Sequence, residues 1–309
     1  IGSTIGKTGM ATREMSTNQQ INSIVVNENN DNEFVYYVVQ SAFPHYLSSI
    51  AVQAVPIISK SSFELLPSKR PSLQEQNKIG KFLSLLDERI STQHRLIDRL
   101  QSLMIGLNNS LYEQYGNDIT TSFMELGYSY SGLSGKSAKD FGSGKPFITY
   151  LNVYSNIIVD ETDYQYVRIN DGEKQNIVRT GDVLFTLSSE TPEEVGIGSV
   201  YLGEKEVYLN SFCFGIHIER NQLAYSPYLS YYVTSTAFRK FIYPFAQGST
   251  RFNLCKADFE KASIKLPSLD NQKRISAMLD CIAEKIQAEK AILEYYNIQR
   301  QYLLRQMFI

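Results

Sequence analysis

Pro71-Ser72-Leu73-Gln74-Glu75-Gln76 returns as Pro267-Ser268-Leu269-Asp270-Asn271-Gln272. The offset, Gln76 to Gln272, is 196 residues, and it holds through the stretch that follows. Ile79 matches Ile275, Leu83 matches Leu279, Leu86 matches Ile282, Glu88 matches Glu284, Arg89 matches Lys285 and Ile90 matches Ile286. Upstream, Lys60 matches Lys256 and Phe63 matches Phe259. A repeat at this spacing is far longer than a solenoid unit. It implies two similar modules, each leading into a similar helix, an arrangement suited to a target that also comes in two halves.

The two helices announce themselves by period. Ile79, Leu83, Leu86, Ile90, Ile97, Leu100, Met104, Leu107 and Leu111 step by 3 and 4, with Gln93 the polar exception. Ile275, Leu279, Ile282, Ile286, Leu293, Tyr296, Leu303 and Met307 keep the same register, broken by Glu289 and Arg300. Sustained steps of this kind form a heptad seam. Gln93 and Glu289 are themselves related by the offset, so the polar break is duplicated. A polar residue in a seam fixes register and partner at some cost in stability. Proline is disfavoured inside a helix, so each Pro-Ser-Leu turn marks a helix start. The spacing predicts two helices of about 35 residues, each spanning roughly 50 Å. Their equal seams are expected to pair with each other, antiparallel, rather than each packing on its own module alone.

Between the helices, from Tyr115 to Lys265, the pattern is mixed. Strand-like runs occur at 145–150, 182–187, 198–202 and 212–218, rich in β-branched and aromatic residues and bounded by Gly, Asp, Asn and Ser. Ser226-Pro227 opens a short helix through Val233, with proline tolerated in its first turn. The loop Gln247-Gly248-Ser249-Thr250-Arg251-Phe252-Asn253 leads into a last strand. The first module resembles only the second half of this. Gly9-Met10-Ala11 corresponds to Gly198-Ser199-Val200, Asn18-Gln19-Gln20-Ile21 to Asn210-Ser211-Phe212-Cys213, and Tyr36-Tyr37-Val38 to Tyr231-Tyr232-Val233. Nothing answers the stretch from Tyr115 to about Leu187, so the duplication predicts a further 70 or so residues ahead of Ile1. The architecture expected is α+β.

Composition limits the function classes. With 43% apolar and 12% aromatic residues the chain can bury ordinary cores. The net charge is −2 and the pI about 6.0, so it is no uniformly basic nucleic-acid binder. Between Arg239 and Lys261, however, five cations face two carboxylates. Cys213, Cys255 and Cys281 form no CxxC pair, and His45, His94 and His217 are scattered, so neither a disulfide framework nor a metal cluster is expected. A reducing cytoplasm is the simplest compartment. No apolar run approaches the roughly 20 residues of a membrane helix. There is no glycine-rich cofactor fingerprint and no nucleophile cluster, so neither a cofactor nor catalysis is expected of this chain. Gly132-Leu133-Ser134-Gly135-Lys136-Ser137 imitates a phosphate loop, but Tyr130 stands where that pattern requires glycine.

Taken together, these segments resemble the DNA-specificity subunit of type I restriction-modification enzymes. The resemblance covers essentially the whole chain. It is carried by the segments 71–79 and 267–275, similar to the family's approach to each spacer helix. Thr180-Gly181-Asp182-Val183-Leu184, Ile5-Gly6-Lys7-Thr8-Gly9 and Gly248-Ser249-Thr250-Arg251-Phe252-Asn253-Leu254 support it. It implies a partial first recognition domain (1–69), a spacer helix (70–114), a second recognition domain (115–266) and a second spacer helix (267–309). It also implies a non-catalytic reader of a split double-stranded DNA site. Its helices would set the gap and dock methyltransferase subunits, which carry S-adenosylmethionine, and restriction subunits would join that core. Two readers separated by one helical turn of about 34 Å enter successive grooves, and a stiff helical pair holds such a spacing. The first module departs from the pattern: Val52-Gln53-Ala54-Val55-Pro56-Ile57 replaces the small polar loop. If that module is incomplete, a second copy of the chain becomes a further partner.

A DNA reader needs phosphate anchors and base readers. The second-module candidates are Lys136, Lys139, Lys145, Ser188, Ser189, Gly248, Ser249, Thr250, Arg251, Asn253 and Lys256; those of the first module are Ser3, Thr4, Lys7, Thr8 and Arg13. Each is weighed against an ordinary polar loop residue. The tyrosines at 36, 37, 231 and 232 are able to stack on bases, but their leucine and valine neighbours favour core packing. The rival function is a coiled-coil scaffold that binds proteins and never touches DNA.

Overall fold

The structure, a computed structural model, describes residues 6–49, 59–65 and 69–308. The chain divides into two units, Ile1–Arg99 with Ile286–Ile309, and Leu100–Lys285. Helix and strand are mixed, and among the described residues every strand lies in the second unit. No helix among them is long and apolar enough to cross a membrane.

Both Pro-Ser-Leu turns open a long helix, Leu73–Tyr115 with 43 residues and Leu269–Met307 with 39. They run longer than the seams predict because each helix begins at the leucine of the turn. Ser72 Oγ accepts from the Glu75 backbone N–H at 3.3 Å, satisfying one of the first turn's unpaired donors. Leu83, Leu86 and Ile97 of one helix and Ile275, Leu279 and Ile286 of the other are buried, as the seam requires. The polar breaks meet within the first unit. Buried Gln93 donates through Nε2 to the Glu289 carboxylate and, at 3.0 Å, to the Glu289 carbonyl. Arg300 donates through Nε to Asp87 at 2.5 Å and through Nη2 to Gln40 at 2.6 Å. Moving from 93 back to 87 means moving from 289 forward to 300, so the helices are antiparallel.

The repeated glutamine has the same structural task twice. Gln76 is fully buried; its Oε1 accepts from the Asp31 N–H at 3.0 Å and its Nε2 donates to the Pro71 carbonyl at 3.0 Å. Gln272 is equally buried; its Oε1 accepts from the Tyr225 N–H at 2.8 Å, and its Nε2 donates to the carbonyls of Leu223 and Pro267 at 2.8 and 2.9 Å. Each glutamine thus ties the start of a long helix to the start of its module's own helix, Asn32–Ser49 or Ser226–Tyr232. At Gly80 the fit is too close for any side chain: a Cβ would lie 2.5 Å from Asp31 Oδ1 and 2.8 Å from the Phe34 nitrogen. Tyrosines add a latch in each unit, Tyr37 to Asp87 at 2.9 Å and Tyr231 to Asp280 at 2.6 Å. Tyr37, Tyr231 and Tyr232 are buried, so their part is core packing.

The second unit is built on a four-stranded antiparallel sheet, in the order Gly127–Ser131, Cys213–Ile218, Val183–Thr186, Gly198–Val200. One face buries Phe123, Phe185, Phe214, Phe238 and Phe259, whose neighbouring rings are either edge-on, as at 82° for Phe123 and Phe185, or stacked with centres 5.4 Å apart, as for Phe185 and Phe214. Such offsets suit the aromatic quadrupole. Helix Ser226–Tyr232 closes this core with Tyr228, Leu229 and Val233, and Ile275 and Leu279 complete it. Buried Asp182, from the Thr180-Gly181-Asp182 segment, accepts from the Arg179 N–H at 2.9 Å and the Tyr130 hydroxyl at 2.5 Å, with His217 Nδ1 at 2.6 Å. Burial holds its carboxyl above the ordinary value despite those donors. A smaller sheet pairs Phe141–Ile148 with Tyr164–Val167 antiparallel and with Tyr208–Leu209 parallel.

The first unit departs from the expected likeness. Residues 9–11 and 18–21 carry no strand and are exposed, unlike Gly198–Val200 and Cys213–Ile218. The reason is pairing: in the second unit those strands bond to Val183–Thr186 and Gly127–Ser131, and no strand of either kind stands in the described part of the first. A strand without a ladder leaves its backbone groups to water. The altered loop at 52–57 lies outside the described residues.

Candidate nucleic-acid interface

The loop 247–253 forms the tip of a hairpin between Ala246–Gln247 and Phe252–Leu254. Ser188–Ser189 pairs with the outer side of that hairpin, completing a three-stranded ribbon. Directly opposed residues share a face in an antiparallel ladder, so Gln247, Asn253 and Ser188 form one row across the ribbon. Gln247, Gly248, Ser249, Thr250, Arg251 and Asn253 are all exposed. The turn depends on glycine: Gly248 has φ +141°, and a Cβ there would lie 2.2 Å from the Arg251 carbonyl oxygen.

Arg251 is held in place at its tip. Its Nε and Nη2 donate to Ser188 Oγ at 3.3 and 3.1 Å, and its guanidinium carbon lies 5.7 Å from the Phe212 ring centre. Contacts of that length are attractive. The Ser188 carbonyl in turn accepts the Tyr150 hydroxyl at 2.9 Å, and Ser189 shares a 3.1 Å hydrogen bond with Glu194. Tyr154 donates to the same Glu194 carboxylate at 2.9 Å, and these donors hold its carboxyl below the ordinary value.

Four sequence candidates lie buried or already engaged within the fold. Ser188 and Ser189 are buried, 5% and 7% exposed, and support the loop from beneath instead of presenting hydroxyls outward. Lys136 is likewise engaged: its ammonium meets Glu173 at 2.5 Å and the Arg168 carbonyl at 2.6 Å, with 5% of its side chain exposed. Beside that ammonium, Glu173 falls to about 2. Lys256 pairs with Glu260 at 3.6 Å and lies 5.0 Å from the Phe214 ring, so it is mainly an internal contact. Arg239, the first cation of the basic stretch, donates to the carbonyls of Glu193, Val195 and Gly196 and holds that turn.

Lys139 and Lys145 are exposed but belong to the smaller sheet and its approach, not to the ribbon whose tip carries Arg251. In the first module Lys7 and Arg13 are exposed and Thr8 is half-buried, on a stretch without regular structure; Ser3 and Thr4 lie outside the described residues. Sequence reasoning missed Phe212, half exposed beside Arg251, and Tyr150. Their roles come from pairings across 38 and 39 residues that no local pattern encodes.

The model of the type I restriction modification DNA specificity domain matches residues 1–102 and 133–295. The chain belongs to that family. Among curated relatives, the StySPI type I restriction enzyme specificity subunit of Salmonella potsdam is 27% identical over 150 residues, covering 48% of this chain and 32% of that protein. The chain thus spans about a third of that relative's length. The MjaIX specificity subunit of Methanocaldococcus jannaschii is 20% identical over 305 residues, covering 91% of this chain and 69% of that one. A solved type I restriction-modification S subunit from M. genitalium superposes with a TM-score of 0.54 at 17% identity, covering 91% of this chain and 73% of that one. At that identity the superposition establishes a shared fold. As a member of the specificity family, this chain carries the Arg251 ribbon in the matched part, 133–295.

Proposed function

We propose that this chain is the non-catalytic DNA-reading subunit of a type I restriction-modification complex. It reads a bipartite site in the cytoplasm, and its long helices dock methyltransferase subunits, with restriction subunits joining that core. Its parts would be a first recognition region (1–69), a spacer helix (70–114), a second recognition region (115–266) and a second spacer helix (267–309). The observation that carries this reading is an exposed polar loop with a braced arginine in a chain of the specificity family. Lys139, Lys145, Ser249, Thr250, Arg251 and Asn253 are the second-module residues free to meet DNA, with Lys7, Thr8 and Arg13 in the first. Lysines there neutralise phosphates, while arginine and asparagine have the geometry for base edges.

The test is DNA modification. The chain is co-expressed with its neighbouring methyltransferase subunit, and methylated adenines are mapped across the genome. Methylation confined to one split motif supports the reading. A palindromic motif means that two copies of the second module act together. An assembled complex that neither methylates DNA nor binds it with steep salt dependence favours the protein scaffold instead.

A further inference from the structure

We infer that Arg251 reads a guanine in the half-site of the second module and that Ser188 is the residue that aims it. This rests on the reading that the second module faces DNA. A guanidinium carries five N–H donors in a rigid fork. Two of them, one on Nε and one on Nη2, are taken by Ser188 Oγ. The remaining three lie on the outer end, where Nη1 and Nη2 present two parallel donors. Guanine offers two acceptors side by side, N7 and O6, in the major groove. Asn253, two residues further along the hairpin, carries one donor group and one acceptor in its amide, a pattern that suits adenine and not guanine.

The brace argues for base reading over phosphate anchoring. A phosphate is held by charge and tolerates a swinging side chain, whereas a base edge demands a fixed fork. Arg251 is fixed by a buried hydroxyl beneath it and by the Phe212 ring beside it. Ser188 is itself immobilised, with its backbone laddered to Asn253 and its carbonyl holding Tyr150. It touches no base, so it is a positioning residue.

The experiment is site selection from randomised duplexes by the assembled complex with its methyltransferase subunit, repeated across a salt series. The wild-type complex is expected to select a guanine at one position that R251K abandons. R251K keeps the charge but loses the fork, so preference at that position should fall about 5- to 150-fold while the salt slope stays unchanged. S188A should relax the same position partly and no other, and S188T, which restores the hydroxyl, should recover it. Equal selectivity of wild type and R251K, with a salt slope lowered by about one in R251A, would make Arg251 a phosphate anchor and overturn the inference. No effect of any of these variants would remove Arg251 from the interface. A wild-type complex that binds DNA without selecting any sequence would overturn the proposed function along with it.

Discussion

At the scale of single residues, the second unit separates side chains that present themselves from side chains that hold others. Gly248 belongs to the second group, since φ +141° and the nearby Arg251 carbonyl exclude a Cβ. Gly248→Ala should strain the loop by about 1–3 kcal/mol and abolish selective DNA binding by the assembled complex, with the circular dichroism spectrum unchanged. Wild-type binding would show that the loop is not at the interface. Lys136 also holds. Glu173 sits at about 2 against an ordinary 4.5, with the Lys136 ammonium as the first cause. The depressed value means that its ionisation supports the fold fully above pH 4.5, and that support fades as pH falls from 4.5 towards 2. Glu173→Gln should therefore lower the denaturant midpoint at pH 7 and converge with wild type in strong acid. A constant gap at both extremes would sink this account. Lys136 reads in sequence as a loop lysine able to meet DNA; its carboxylate partner lies 37 residues away and only the fold brings it near. The burial of Ser188 and Ser189 is equally invisible in sequence, since strand polarity alone does not tell which face the neighbouring hairpin covers.

Among the elements, the long helices were the most legible, because a period of 3 and 4 sustained over many turns has few other readings. Their polar breaks were legible too, as a duplicated pair. That Gln93 meets Glu289 accords with the expected antiparallel pairing, whereas the partners of Arg300, Asp87 and Gln40, are set by the packing of the first unit and no period marks them. Gln93→Glu would set a second carboxylate against Glu289. Its thermal midpoint should drop near neutral pH and recover on acidification, because protonation relieves the repulsion; a pH-independent drop would point to packing. The repeated glutamine was visible as a letter, not as a tie. Gln272→Leu would strip three backbone groups, one buried and two partly buried, of their partners and should cost about 2–5 kcal/mol. Gln76→Leu should weaken the first unit in the same manner. A variant within 0.5 kcal/mol of wild type, about the scatter of neutral surface changes, would mean that water replaces the amide.

For the whole molecule, the 196-residue offset carries the plan of two modules, each leading into a long helix. What it could not give was the state of the first module. Similar residues at 9–11 and 198–200 take different structures, since a strand exists only with its ladder partner. The proposed boundaries carry their own prediction. Replacing 115–266 by the matching region of another family member should change one half of the methylated motif and leave the other intact, as read from genome-wide methylation maps. A change in both halves would dissolve the modular reading. The twin glutamine ties reach further than stability. Because the same few atoms fasten each module at a Pro-Ser-Leu turn, a crossover between two genes at either turn would deliver a foreign module already fitted to its fastening. On the proposed reading, a single recombination event would then exchange one half of the recognised site without disturbing how the chain folds.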